Sequence, residues 1–167
     1  MSGFDSIEKL GREHLLDEFD CGAEDLNRFL KRQALSSQQA HSAQTYVLAK
    51  DWRVFGYYSL AAGSVTYEAA TDRLKKGQAR HAVPVILLAR LAIDRTMQGK
   101  GLGAAMLKNA LERSAGAADT IGARALLVHA KDDQAKAFYG HFDFEPSPSD
   151  PLHLMLLMKD VIRLTGR

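Results

Sequence analysis

The sequence predicts an α/β (α+β) fold of mixed order, with strands both before and between helices. Three observations carry this. The run 83–94, "VPVILLARLAID", is the most apolar in the chain and reads as a buried central strand. Beyond a cluster of glycines, Leu102, Met106 and Ala110, with Leu107 and Leu111, fall on one helical stripe. A second apolar run, "ARALLVHA", is followed at once by "DDQAKAFYGHF", in which Ala135, Phe138, Tyr139 and Phe142 share helical spacing.

Taken in order, the first 20 residues mix charged and apolar types and read as a strand or irregular lead-in. Leu26, Phe29, Leu30 and Ala34 then repeat at helical spacing, with Asp20 as the expected cap and Glu24 and Asp25 in the first turn. "QTYVLAKD" and "RVFGYYSLAAGSVTYE" read as two strands joined by a tight turn at Lys50 to Arg53. "AATDRLKKGQARHA" is a polar, basic loop with room for one helical turn. The central strand, the long helix, "ARALLVHA" and the Phe-Tyr helix follow. "HLMLLMKDVIRL" reads as a closing strand.

The 167 residues suit one domain, and no repeat, low-complexity tract or linker divides them. Apolar residues make up 46% and charged residues 25%, the balance of a soluble globular chain. One cysteine, Cys21, excludes an internal disulfide and a multi-cysteine metal cluster. The start does not read as a signal peptide, and no uncharged run approaches a membrane span. These features predict a cytoplasmic protein.

The most informative stretch is "DRTMQGKGLGAAM", residues 94–106, with glycines at 99, 101 and 103 where a helix should begin. Glycine inside a helix costs about 1 kcal/mol relative to alanine. Bare backbone at a helix start is an anion site: free amides and the helix dipole face the ligand, and no side chain blocks it. Lys100 adds a positive charge, so a pyrophosphate ligand is the natural guest. The pattern is not G-x-x-x-x-G-K-[ST], and its G-x-G-x-G spacing departs from the dinucleotide fingerprint.

Gln98-x-x-Gly101-x-Gly103 after "LARLAID" resembles the acetyl-coenzyme-A loop of the GNAT superfamily of N-acetyltransferases. "AKAFYGHFDFEP" stands where that superfamily has its Phe-Tyr helix. The resemblance implies a GNAT acyltransferase fold, a mixed central sheet with helices on both faces, as one domain over residues 1–167. It implies that Leu91, Ala92 and Ile93 run beside the pantetheine of acetyl-CoA. Gln98, Gly99, Lys100, Gly101, Leu102, Gly103 and Ala104 would lie on the pyrophosphate, with Phe138 closing the other side. Asp143 departs from the superfamily's glycine, but Asp tolerates a left-handed backbone better than most residues. A narrower likeness runs through "FDCGAEDLNRFL", "GYYSLAAGSV", "VHA" and "DPLHLMLLMKDV". These are similar to the GNAT toxins of bacterial toxin–antitoxin pairs, which acetylate the α-amino group of aminoacyl-tRNA and stop translation. That likeness implies a ribbon-helix-helix antitoxin, contact with operator DNA through it, and a homodimer.

Acetyl transfer needs a neutral amine, oxyanion donors and a proton for the departing sulfur. On spacing alone Tyr139 reads as a core aromatic; the resemblance makes it the catalytic proton donor, since a phenol is protonated at neutral pH. Backbone amides of the "RLAID" strand are the expected oxyanion donors. Glu68, Asp94, His129 and His153 are possible bases, none singled out, and His129 reads as a structural histidine. A missing base suits an aminoacyl ester, whose amine is less basic than a lysine's, so positioning can do most of the work. No metal is expected.

Two basic clusters fit an RNA substrate: Arg28, Lys31 and Arg32 on one helix face, and Arg73, Lys75, Lys76 and Arg80 before the central strand. Arg90, a charge inside that strand, must be paired or face the cleft, and is read as cleft-facing. The alternative is a GNAT enzyme acting on a small amine or a protein N-terminus, for which the basic clusters would be dispensable. A non-catalytic protein with a decayed GNAT fold is a third reading, opposed by the intact loop and Tyr139.

Overall fold

The computed structural model describes residues 3–166. Its strands are β1 (Glu8–Lys9), β2 (Gln44–Lys50), β3 (Arg53–Val65), β4 (Val83–Ile93), β5 (Ala125–His129), β6 (Glu145–Pro146) and β7 (His153–Leu157). They form one sheet in the order β1-β2-β3-β4-β5-β7-β6. β4 and β5 run parallel; β1–β2, β2–β3, β5–β7 and β6–β7 are antiparallel. The helices are α1 (Glu24–Arg28), α2 (Ala34–Gln39), α3 (Asp72–Lys75), α4 (Leu102–Thr120), α5 (Asp133–Gly140) and α6 (Met158–Thr165). The predicted class and the expected central place of β4 both hold. Its apolar content overstates its burial: Val83, Val85, Leu88 and Ala92 are buried, whereas Pro84 is exposed and the rest are half-buried.

The chain divides into two compact units. The first runs through Ala61 and adds Ala89–Ala110. Its core brings Phe29, Leu30 and Ala34 against Val47, Val54, Tyr57 and Ala92. The predicted apolar stripe is therefore the buried one. The segment between α1 and α2, Phe29–Gln33, is a π turn: the Ala34 amide donates to the Phe29 carbonyl, five residues back. Asp20 is not the cap. Ala23 holds that position without a side-chain bond, and Asp20 instead accepts from the Gly22 amide at 2.9 Å in the turn before it. The β2–β3 hairpin turns on Asp51 and Trp52, both with positive φ (51° and 69°). Two such residues match the right-handed twist of the strands; Asp is an expected occupant and Trp is not.

The second unit holds Ala62–Leu88 and everything from Leu111 onward. Leu74 of α3 packs with Val83 and Val85 of β4, Ala125 and Leu127 of β5, and Met155 and Leu157 of β7. Thr71 caps α3 by accepting from the Leu74 amide. The closing strand is half of what the sequence predicts: β7 ends at Leu157 and α6 takes over. Met158, Val161, Ile162 and Thr165 lie at i, i+3, i+4 and i+7, a helical period. Gly166 stops the helix with a left-handed φ of 76°.

Candidate active site

In the first unit, β4 delivers the chain to the glycine loop. Alternation along the strand sends Ala92 into the core and leaves Leu91 and Ile93 half-buried on the other face. Ala92 can therefore offer a ligand only its backbone. At the strand end Asp94 is 2% exposed and fully employed. Oδ1 accepts from the Thr96 amide (3.0 Å) and hydroxyl (2.6 Å), and Oδ2 from the Asp20 amide (3.0 Å). Burial alone would raise its pKa; the Thr96 and Asp20 donors and the Arg53 charge outweigh it and hold the carboxyl below its usual range. Asp94 is thus a structural anion and not a base.

A short 3₁₀ turn, Arg95–Met97, leads to Gln98. The Gln98 amide nitrogen donates to the carbonyls of Ile93 (2.9 Å) and Cys21 (3.0 Å). Its side chain therefore anchors the loop, and what it can offer a ligand is backbone. Gly99 and Gly101 have φ of 78° and 79°, and a Cβ at either would meet nothing within 4 Å. The glycines are required for conformation, and the space beside them is open. Gly103 differs: it lies in the first turn of α4. The first bond into that helix runs from the Ala105 amide to the Gly101 carbonyl. The amides of Gly101 to Ala104 precede it and are free in the sense of any helix start. Gln98, Gly99, Lys100 and Gly101 are exposed. Open space, consecutive amides without an intrahelical partner, a lysine and a 19-residue helix behind them fit a diphosphate.

Arg90 is half-buried, and its guanidinium lies 3.6 Å from the Phe29 ring centroid. Its partner is an aromatic face rather than a carboxylate. Arg28, Lys31 and Arg32 are all exposed, with Arg28 on α1 and the other two in the π turn.

In the second unit, Asp132 caps α5 by accepting from the Ala135 amide at 2.8 Å. Tyr139, near its end, is 8% exposed and packs edge-on against Phe138 and Phe144. Burial pushes its phenol up to about 12, so it stays protonated and able to donate. Phe138 is half-buried. Phe142 falls beyond the helix, in a turn closed by its own amide on the Tyr139 carbonyl. Asp143 takes φ 71° there, the left-handed conformation expected of it.

The candidate bases separate clearly. Glu68 is exposed. His129 is not the satisfied structural histidine expected from its strand: its ring is exposed and stacks on His153 at 4.0 Å, because the β5–β7 register sets the two side by side. Desolvation at the strand end and then the neighbouring imidazole lower its pKa, with Asp150 opposing. His153 lies 3.4 Å from Asp150.

The second basic cluster divides. Arg73 is bound to Asp160 at 2.7 Å and Glu145 at 3.3 Å; its charge is offset within the fold. Lys75 and Arg80 both lie over the Tyr67 ring, at 5.2 and 5.5 Å, and Lys76 is exposed. Neither Tyr67 nor the Arg73 pairing stands out in sequence, because the partners of Arg73 lie 72 and 87 residues away. Among the described residues, no group of three or more His, Cys, Asp or Glu could hold a metal ion, and no helix is long and apolar enough to cross a membrane.

A family model, described as an acetyltransferase (GNAT) domain, matches residues 41–146, from before β2 to β6. The chain belongs to the GNAT acetyltransferase family. Within it, the chain is 46% identical over 166 residues to a tRNA-acetylating toxin of Mycobacterium tuberculosis (strain ATCC 25618 / H37Rv), covering 99% of both. Among solved structures it resembles AtaT complexed with acetyl-methionyl-tRNAfMet, with a TM-score of 0.88 at 29% identity, over 95% of this chain and 98% of that one. It also resembles a mutant AtaT toxin bound to the C-terminus of the antitoxin AtaR and acetyl-CoA, with a TM-score of 0.82 at 28% identity, over 97% and 98%. The GNAT match contains β4, the glycine loop and α5.

Proposed function

We propose that this chain is the toxin of a toxin–antitoxin pair, an N-acetyltransferase that moves acetyl from acetyl-CoA to the α-amino group of aminoacyl-tRNA and so blocks translation. The observation that carries the reading is the 46% identity to a tRNA-acetylating toxin across 99% of both chains. Such end-to-end likeness also supports a single GNAT domain over residues 1–167.

Acetyl-CoA supplies an acetyl group activated as a thioester. The amides of Gly99 to Ala104 and the Lys100 charge hold its diphosphate. Leu91, Ala92 and Ile93 align its arm along β4 through backbone groups, and amides of that strand face the developing oxyanion. Phe138 flanks the cofactor. Tyr139 holds the proton that the departing sulfur needs; the amine's own proton goes to solvent. The aminoacyl amine attacks unprotonated, and positioning replaces a dedicated base. Arg28, Lys31, Arg32, Lys75, Lys76, Arg80 and Arg90 face the RNA phosphates. Arg73 joins them only in part, because Asp160 and Glu145 already offset its charge.

The AtaR complex supports an antitoxin partner here. We assign it to the ribbon-helix-helix class, with operator DNA reached through it, and we assign the toxin a homodimeric state and a cytoplasmic location. Incubating the protein with labelled acetyl-CoA and a set of charged tRNAs tests the reading. Label is expected on aminoacyl ends; label on free amines or peptide N-termini with charged tRNA untouched would favour the alternative acetyltransferase.

A further inference from the structure

The glycine loop lacks packing of its own. Residues 98–101 are exposed, and nothing lies within 4 Å of a Cβ built on Gly99 or Gly101. Its shape must be held through its stem. That stem is tied to a distant segment by a set of polar bonds. The Asp20 amide donates to Asp94 Oδ2 at 3.0 Å, and the Arg95 amide donates to the Asp20 carbonyl at 2.8 Å. Asp20 Oδ1 accepts from Asn27 Nδ2 at 2.9 Å, and Asn27 Oδ1 accepts from the Cys21 amide at 2.9 Å. The Cys21 carbonyl then accepts from Gln98, the residue before Gly99, at 3.0 Å. Asn27 is 6% exposed and directs both ends of its amide into this chain of bonds. Neighbouring Leu26, Phe29 and Leu30 supply the apolar packing of the same helical segment, so this chain of bonds, a polar buckle, is not needed to bury it.

We infer that Asn27 and Asp20, with buried Asp94, are positioning residues for the diphosphate loop, fixing it before the cofactor arrives. This deepens the proposed acetyl-CoA site and rests on that reading. A loop ordered in advance loses less conformational entropy on binding.

The test is Asn27→Asp, which keeps the acceptor for the Cys21 amide, loses the donor, and sets a second carboxylate about where Nδ2 lies, 2.9 Å from Asp20 Oδ1. Two carboxylates so close cannot both stay ionised without strain, and a shared proton relieves it. The other titratable or charged groups around the pair are Arg95, bonded to Asp20 at 3.3 Å, Cys21, Asp94, Arg53, whose charge acts on Asp94, and Tyr57, whose hydroxyl donates to the Leu26 carbonyl. Calorimetry with acetyl-CoA should show Kd raised about tenfold over the wild type at pH 8, the ratio falling below about threefold at pH 5. Amide hydrogen exchange at the bonded amides of Asp20, Arg95 and Thr96 in the ligand-free variant should be faster than in the wild type at pH 8 and approach it at pH 5. Unchanged exchange and affinity at pH 8, or a loss independent of pH, would overturn the inference. A wild type that binds no acetyl-CoA would overturn the functional reading instead, while exchange still decides the buckle. Asp20→Ala, at a half-exposed side chain, is the second variant. It should speed the same exchange at both pH values, and an unchanged rate counts against the buckle.

Discussion

Replacing Gly101 by alanine isolates what the loop backbone contributes. The native φ is 79°, and the added methyl would meet no atom within 4 Å. The penalty is therefore conformational, with no clash in it: about 1–2 kcal/mol for a non-glycine residue held left-handed. Two outcomes are open to the variant, and both can be measured. If the loop keeps its φ, the strain lowers folded stability, by roughly 2–8 °C in melting temperature at about 2–4 °C per kcal/mol for a domain of this size. If the loop relaxes, stability is kept but the amides turn away from the diphosphate. Acetyl-CoA Kd then rises about 5- to 30-fold, at about 1.4 kcal/mol per tenfold. Thermal melting and calorimetry on the same preparation measure both, and their sum should reach at least about 1 kcal/mol. A variant with native melting temperature and native affinity would show that Gly101 is not needed for its backbone, and the account of the loop would fail.

Tyr139→Phe should bind acetyl-CoA normally and lose roughly 10²-fold or more in kcat, a usual scale for a lost proton donor; unchanged turnover removes Tyr139 from the mechanism. Because burial lifts the phenol to about 12, it stays protonated from pH 7 to 10, and wild-type kcat should show no alkaline fall from this group in that range. Replacing Lys75, Lys76 and Arg80 together by alanine should weaken tRNA binding and flatten the slope of log affinity against log salt by about 2–3. An unaltered slope would clear that surface of RNA contact. Arg73→Gln should instead act on stability. Its hydrogen bond and charge, with a smaller contribution from Arg163, hold the Asp160 carboxyl below its usual range. A depressed carboxylate stabilises fully above its unfolded pKa and loses that contribution as pH falls through the folded one. The stability gap between wild type and variant should therefore be present at pH 7 and close as pH falls below about 3.9 in chemical denaturation; a gap that persisted there would refute the pairing.

What the sequence revealed of this fold was the part encoded locally. The apolar run of β4 and the stripe of α4 are set by neighbours within a few residues and stand where spacing predicts; the left-handed Asp143 stands where the family resemblance has a glycine. Where two local signals abut without punctuation the reading blurs, as at Leu157–Met158, where a strand passes into a helix with no Gly or Pro between them. Partners distant in sequence were not legible. Asp94 stands 74 residues from the amide it binds, which is why a carboxylate at a strand end reads as a possible base. Arg73 looks like one of four free cations until Asp160 is folded back onto it. For the site, the motif marked the loop, whereas the groups that hold it from residues 20–27 show only in the fold.

The π turn at Phe29–Gln33 makes the helical segment one residue longer than an α-helix would need to join the same two flanks. Removing a single exposed position there, Lys31 or Arg32, would let the backbone return to ordinary α spacing, with Phe29 and Ala34 still meeting their neighbours. This is a place where the chain can change length without disturbing what lies on either side.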